Sequence, residues 1–303
     1  MIYIADENDD GKRLDLMITE VLGNISRSKV QTSIKSGNVK VNSKIQKPSY
    51  TLKEDDEIEI IEVPEVVLKT EPQNIPLDIV YEDDNMLVVN KPSGMLTHPT
   101  VNETENTLVN ALLYQYGDNL SDINGEFRRG IVHRLDRNTS GLLMIAKNNK
   151  THEFLADEIK EHKIEKTYRA IVKGNWEKDE EIIDEPIGRN PRQPHKMMVK
   201  PDGKESISII KVVKRFKEAT AIEIKLITGR THQIRVHTSF KGHPVYNDTL
   251  YGAGKGKVST EEQVLQSFRL KFTKPFSDEI ISLEIPADEK YMKVFNYFEG
   301  REK

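Results

Sequence analysis

The run Gly130-Ile-Val-His-Arg-Leu-Asp-Arg-Asn-Thr-Ser-Gly141 is polar, and the five residues that follow, Leu142 to Ala146, are all apolar. A polar segment bounded by glycines and feeding a short unbroken apolar run reads as a loop that enters a buried strand. The loop holds one carboxylate, Asp136, between Arg134 and Arg137, with His133 close by. A lone Asp among cations is expected to keep a low pKa and stay ionised at neutral pH. That suits a nucleophile or a charge stabiliser better than a general acid.

A chain of 303 residues that is 36% hydrophobic has room for two domains and a normal core. No apolar run approaches the roughly 18 residues of a membrane span. The N-terminus, Met1 to Asp10, is acidic and has neither the basic nor the long apolar region of a signal peptide. The expectation is a cytoplasmic protein that does not enter a membrane. The absence of cysteine excludes disulfides, thiolate nucleophiles and Cys-based zinc sites. The eight histidines form no HExxH pattern, and His232 and His237, five apart, are poorly spaced for one helical face. No metal site is expected.

The net charge of −4 conceals segregation. Lys12 to Lys47 carries eight Lys/Arg against two acids, and Lys53 to Glu71 two against eight. Basic excess returns at Arg128 to Lys173, eleven against six, and at Pro186 to Arg215, eight against two. One such block is ordinarily a solvated face; three blocks beside motifs point to a polyanion such as nucleic acid.

Leu14, Met17, Ile18 and Val21 recur at helical spacing, so residues 13–22 read as an amphipathic helix stopped by Gly23. Ser26 is placed to cap a second helix that carries Val30 and Ile34 and ends at Gly37. Val39 to Val41, Asn42-Ser43 and Lys44-Ile45 read as strand, turn and the start of another strand. These elements bound a first domain at residues 11–61. Residues 62–76 hold three prolines among acids and read as an extended linker. Residues 77–303 form the second domain: strands at 79–81, 86–89, 165–172 and 221–227, helices at 106–116, 151–162 and 231–241, with no regular βαβ period. No GxGxxG or P-loop is present, so neither a dinucleotide nor an ATP site is indicated. The fold class is α+β with a mixed, mostly antiparallel sheet.

The first domain resembles an S4-type RNA-binding domain through Arg13-Leu14-Asp15, Ser26-Arg27-Ser28-Lys29 and Ile34 to Asn42. The resemblance implies that Arg13, Arg27 and Lys29 touch RNA phosphates, contacts that give position and affinity rather than sequence choice. The second domain carries Asn90-Lys-Pro-Ser-Gly-Met-Leu-Thr-His-Pro99, the Asp136 loop, Lys166-Thr-Tyr-Arg-Ala-Ile-Val-Lys-Gly174, and Thr228-Gly-Arg-Thr-His-Gln-Ile-Arg-Val-His237. The last runs on into Gly242 to Asp248 and Leu250-Tyr-Gly252. Together they resemble the RluA-type pseudouridine synthases, and with the S4-like front end the branch that acts on the large ribosomal subunit.

The resemblance implies an isomerase that converts uridines of large-subunit (23S) ribosomal RNA to pseudouridine, without cofactor or metal. Asp136 then matches the catalytic aspartate, Arg235 the arginine that pairs with it, and Tyr168 the tyrosine that stacks on the target base. Arg134 matches the residue that enters the RNA stack, and Arg137, Arg230 and His232 fall to RNA binding. An Arg235 that orients Asp136 is expected to do so through a bidentate contact. Attack by Asp136 at C1′, attack at C6 of the base and removal of a ribose proton all stay open. The partner is ribosomal RNA or an assembling subunit, and a monomer is expected.

Two departures from the family pattern stand out: Asn90 where Asp is usual, and Leu265-Gln-Ser-Phe-Arg-Leu-Lys-Phe-Thr-Lys-Pro275 where Leu-His-Ala and Phe-x-His-Pro are usual. Neither is expected to touch Asp136, Tyr168 or Arg235. Taken singly, each of these three has an ordinary reading as surface ion pair, core packing or solvated cation. The rival function is a non-catalytic RNA-binding or ribosome-assembly protein that keeps the fold, and a third is a nucleoside hydrolase that uses Asp136.

Overall fold

The structure, a computed structural model, describes residues 1–7, 9–22, 25, 27–61, 70–100, 103–252, 254, 256–260 and 262–301. It divides into two compact units, Met1–Leu68 and Lys69–Lys303. The helix stop expected at Gly23, the cap at Ser26 and linker residues 62–69 lie outside the described residues.

In the first unit, strand β1 (Ile2–Ile4) precedes helices α1 (Leu14–Leu22) and α2 (Arg27–Lys35), which lead into β2 (Val39–Val41) and β3 (Glu57–Ile60). The strands pair antiparallel in the order β1-β3-β2. Leu14, Met17 and Ile18 of α1 and Val30 and Ile34 of α2 are buried against Val39, Val41 and Ile58. Val21, expected on the same face, is exposed at the helix end, and Leu22 packs in its place. Lys44-Ile45 starts no strand. Asn42 and Ser43 both take positive φ and return the chain for a single bridge between Val41 and Lys44. Pro48, which has no N–H to donate to a ladder, follows closely.

The second unit opens with residues 70–76, which form neither helix nor strand; the Asn110 side chain donates to the Glu71 carbonyl at 2.8 Å. Its elements are β4 (Ile79–Glu82), β5 (Met86–Lys91), α3 (Leu108–Tyr116), β6 (Ser140–Ala146), α4 (Asn149–Lys160), β7 (Glu165–Lys173) and β8 (Glu180–Asp184). A short hairpin of β9 (Ile187–Arg189) and β10 (Met197–Val199) comes next. Then follow β11 (Ile207–Arg215), β12 (Ala219–Leu226), α5 (Gln233–Phe240), β13 (Leu265–Thr273), β14 (Ile280–Glu284) and α6 (Glu289–Glu299). Among the described residues nine strands form one sheet, ordered β4-β5-β6-β13-β7-β12-β11-β8, with β14 on β13. Every pairing is antiparallel except β6 with β13, so the sheet is mixed and mostly antiparallel.

All seven residues of β6 are buried. Leu143 and Ile145 pack with Leu108 and Leu112 of α3, while Leu142 and Met144 pack with Leu155 of α4 and Phe268 of β13. Each such side chain contributes about 1.5–3 kcal/mol by leaving water. The Asp136 loop therefore feeds directly into one of the most firmly held strands in the unit.

Gly141 sits where β6 passes β13, at φ +116°; a Cβ built there would stand 2.1 Å from the Ser267 carbonyl oxygen. Both the backbone conformation and the approach exclude a side chain. Gly141→Ala is expected to lower unfolding stability by about 2–4 kcal/mol through backbone strain and overpacking. A urea unfolding midpoint indistinguishable from wild type would contradict this.

Candidate active site

The strands β6, β13, β7 and β12 are successive neighbours in the sheet, and the site is assembled from what they carry. The loop entering β6 supplies Asp136, β7 supplies Tyr168, and α5, which follows β12, supplies Arg235. All three line one cleft of about 510 Å³, together with Arg134, Arg230 and His232. Arg137 is not in the cleft; it is exposed and pairs with Glu103.

The Asp136 loop is held from behind by the Asn90-to-Pro99 segment. Lys91 is fully buried, and its ammonium donates to the carbonyls of Pro92 and Met95, both at 2.8 Å, and of Arg137 at 3.1 Å. Burial pushes Lys91 down to about 7, and the nearby charge of Lys290 adds to the effect. Gly94 N–H donates to the Arg137 carbonyl, Ser93 to that of Asn138 and Thr97 to that of Leu135. The backbone on both sides of Asp136 is thus bonded through its carbonyls, which leaves the carboxylate side chain to face the cleft.

Arg235 is seated by the turn before it. His232 adopts a left-handed conformation, φ 59°, and opens α5. The buried Gln233 accepts from Thr228 Oγ1 and the Arg230 N–H, both at 2.9 Å, and donates to Ile207 O and Ser208 Oγ. This ties the 228–233 turn to β11 and aims Arg235 inward, 7% exposed rather than solvated.

The expected bidentate contact between Arg235 and Asp136 is not made. Arg235 gives Nε and Nη2 to Asp248, at 2.7 and 3.0 Å, and only Nη1 to Asp136, at 3.2 Å. Asp248 is buried and also accepts from the N–H groups of Leu250 and Tyr251, so its acceptors are well occupied. Desolvation of the guanidinium is outweighed by the two carboxylates, and the Arg235 pKa lies above its ordinary value. Asp248 takes the Nε–Nη2 edge of the guanidinium, and Asp136 meets Nη1 alone. Asp248 is thus the anchor of Arg235, and Asp136 receives a single directed donor. Nothing local marks Asp248 in the sequence; its place in the 242–252 motif is the one available signal.

Tyr251 closes one side. Its ring lies under the Arg235 guanidinium, 5.0 Å from the centroid, and its hydroxyl meets His232 Nδ1 at 2.8 Å and the Met197 N–H at 2.9 Å. His232 Nε2 stands 3.8 Å from Asp136 Oδ2. Tyr168 is 6% exposed, and burial pushes its phenol up, with the Asp136 charge adding and a Ser267 hydrogen bond opposing. It stays protonated at neutral pH. Ser267 pairs with Tyr168 across β13 and β7, and Leu265 lines the cleft. The unusual 265–275 segment therefore does touch the trio, because it is a central strand beside β7. Asn90, the other departure, bonds Asp78 and lines no part of the cleft.

The histidines near the loop are neutral. Burial pushes His133 down to about 3, with Lys166 adding, and its Nε2 accepts from the Met144 N–H at 3.0 Å. His98 is pushed down to about 4 by burial and by Arg134, whose Nη1 is 3.5 Å from His98 Nε2. Arg134 itself is exposed.

In the first unit, Arg13 gives Nε and Nη2 to the buried Asp15, at 3.0 Å each, and Arg27 gives Nε at 3.0 Å. Both arginines are thus held by one carboxylate while nearly half of each side chain stays exposed. Lys29 lies half-buried on α2. Among the described residues no cluster of three or more His, Cys, Asp or Glu is placed to hold a metal, and no helix is long and apolar enough to cross a membrane.

The RNA pseudouridylate synthase family model matches residues 85–240 and the S4 domain model residues 12–58. A protein of Aquifex aeolicus (strain VF5), described as an uncharacterized RNA pseudouridine synthase, is 41% identical over 299 residues, 95% of this chain and 94% of the relative. A ribosomal large subunit pseudouridine synthase D of Zymomonas mobilis is 39% identical, covering 92% of each chain. Among solved structures, human RNA pseudouridylate synthase domain containing 1 superposes with a TM-score of 0.58 at 28% identity, covering 71% of this chain and 84% of that one.

Proposed function

We propose that this chain, which belongs to the RNA pseudouridylate synthase family, isomerises uridines of large-subunit (23S) ribosomal RNA. That it is an RNA pseudouridine synthase with an S4 RNA-binding domain follows from the family; the ribosomal target and the residue roles are our reading. The observation that supports it best is the meeting of Asp136, Tyr168 and Arg235 in one cleft, with Arg235 Nη1 on Asp136 across 99 positions of sequence. The likeness to the ribosomal large subunit synthases supports the choice of RNA. We assign residues 11–61 to RNA binding, 62–76 to a linker and 77–303 to catalysis, in a cytoplasmic monomer that needs no cofactor.

The reaction breaks N1–C1′, turns the base and joins C5 to C1′; the C5 proton leaves and N1 takes one up. A base inside a helix is out of reach, so the uridine is flipped out. Arg134, exposed at the rim, is the residue to fill the gap by stacking and charge. Tyr168 lines the cleft with its phenol protonated and its ring a platform for the flipped base. Asp136 supplies the carboxylate that splits one hard step into two. Arg235 orients it with one N–H while Asp248 fixes the other two donors. Cations of the S4 unit, Arg13, Arg27 and Lys29, with Arg137, Arg230 and His232, serve phosphate contacts that position the RNA.

The test is tritium release from 5-³H-uridine large-subunit RNA transcribed in vitro, with pseudouridine mapping in cells with and without the gene. An identical pseudouridine map in both strains would refute the ribosomal target. Tyr168 is probed by a pair of variants. Tyr168→Phe keeps the ring and should retain activity within about fivefold, whereas Tyr168→Ala should lose roughly 5- to 150-fold, the worth of one stack. Equal losses in the two variants would instead assign the hydroxyl to proton transfer.

A further inference from the structure

Lys166 lies two residues before Tyr168 on the same face of β7 and lines the same cleft. The residue is only 7% exposed, and its ammonium, which keeps some contact with solvent, makes no hydrogen bond or ion pair among the described residues. Burial alone lowers its pKa, with no carboxylate to offset it. Lys91, fully buried, and Lys290, half-buried, are treated differently: each donates to three oxygens. A largely buried cation with no protein partner is costly, and an anion reaching it from the cleft would offset that cost.

The surroundings say what that group is. Gly229 is exposed, and a Cβ built on it would stand 3.6 Å from Lys166 Nζ, so the ammonium is approached over a residue without a side chain. Arg230, half-buried, follows Gly229 directly in the chain, and Lys160, exposed at the end of α4, lines the same cleft. Among all the lining residues the only acid is Asp136, which Arg235 already engages. With Asp136 engaged by Arg235, the three further cations of the cleft fit an anion rather than the neutral edge of a pyrimidine. Residues 166 and 168 are roughly 6.6 Å apart along the strand, a separation that one nucleotide bridges between base and phosphate.

We propose that the cleft around Lys166 and Gly229 is a phosphate subsite, in which Lys166 binds a non-bridging oxygen of the phosphodiester beside the extruded uridine, with Arg230 and Lys160 as the further cations that draw the backbone in. The subsite rests on the reading of the cleft as the uridine site, and it makes the buried lysine a positioning residue. Binding of the RNA backbone completes its charge pairing and sets the depth at which the base meets Tyr168.

The full-length protein is titrated with uridine and with uridine 5′-monophosphate, by calorimetry and by NMR of ¹³Cε-labelled lysine. The monophosphate should bind about tenfold or more tightly than the nucleoside. It should also raise the Lys166 pKa, which uridine should leave unmoved. Lys166→Met should erase the advantage of the monophosphate, and Lys166→Arg should retain most of it. With large-subunit RNA, Lys166→Met should raise KM about tenfold with kcat within about threefold. Its salt dependence of binding should fall by about 0.7 in slope, one phosphate's share on a single strand. The proposal is overturned if wild type binds the two ligands equally or binds neither at millimolar concentration, or if Lys166→Met keeps the preference. Should wild type release no tritium from the ribosomal RNA, the proposed target fails, while the nucleotide titration still decides the subsite.

Discussion

Asp136→Asn is expected to abolish isomerisation while leaving the protein folded and bound to RNA. The substitution keeps the side-chain shape and removes only the charge and the nucleophilic oxygen pair. A group that forms or breaks bonds with substrate costs on the order of 10⁴-fold or more in kcat when removed. Stability should change little, since Arg235 keeps both donors on Asp248 and the loop backbone is held by Lys91, Ser93, Gly94 and Thr97. RNA affinity should stay within about threefold, because it rests chiefly on phosphate contacts. The measurement is single-turnover tritium release beside an equilibrium binding curve. Activity within tenfold of wild type would remove Asp136 from the chemistry and reopen the reading of this fold as an RNA-binding scaffold.

Asp248→Ala is expected to be the most damaging change outside the reacting atoms, on stability as well as rate. Asp248 and Arg235 are both buried, and their contact is bidentate. Removing one partner leaves an uncompensated guanidinium, at a cost of about 3–5 kcal/mol. The freed arginine then loses the geometry that offers Nη1 to Asp136, and a misplacement of this kind costs roughly 100-fold in rate. Chemical unfolding and single-turnover kinetics read the two effects separately. The double variant Asp248→Leu/Arg235→Met removes both charges and should recover much of the stability but none of the activity. A stability change under about 1 kcal/mol in Asp248→Ala, with normal turnover, would show that Asp248 does not anchor the site.

The contrast between these two aspartates marks what a sequence makes legible here. Asp136 is visible because its neighbours within ten positions announce it: two arginines, a histidine, and an apolar run that must become a strand. Helices α1 and α4 and strands β6 and β7 are visible for the same reason, since their periodicity is local. The β9 to β11 region shows its limits, because the basic block from Pro186 to Arg215 masks the alternation that β11 carries. The role of residues 265–275 is hidden too. Nothing in that segment announces that it becomes the strand beside β7, where Ser267 reaches Tyr168.

Electrostatic pairing is the part that only the folded chain decides. Arg137 sits next to Asp136 in sequence yet turns to Glu103, while Arg235, 99 positions away, supplies the donor. Of Lys91, Lys166 and Lys290, two end as satisfied cations and Lys166 has no protein partner among the described residues. The amino-acid order by itself determined the loop, the elements and the kinds of group on hand. The tertiary structure alone determined which charge faces which, because Coulomb energy and desolvation depend on distance and burial in space, and neither is a function of position along the chain.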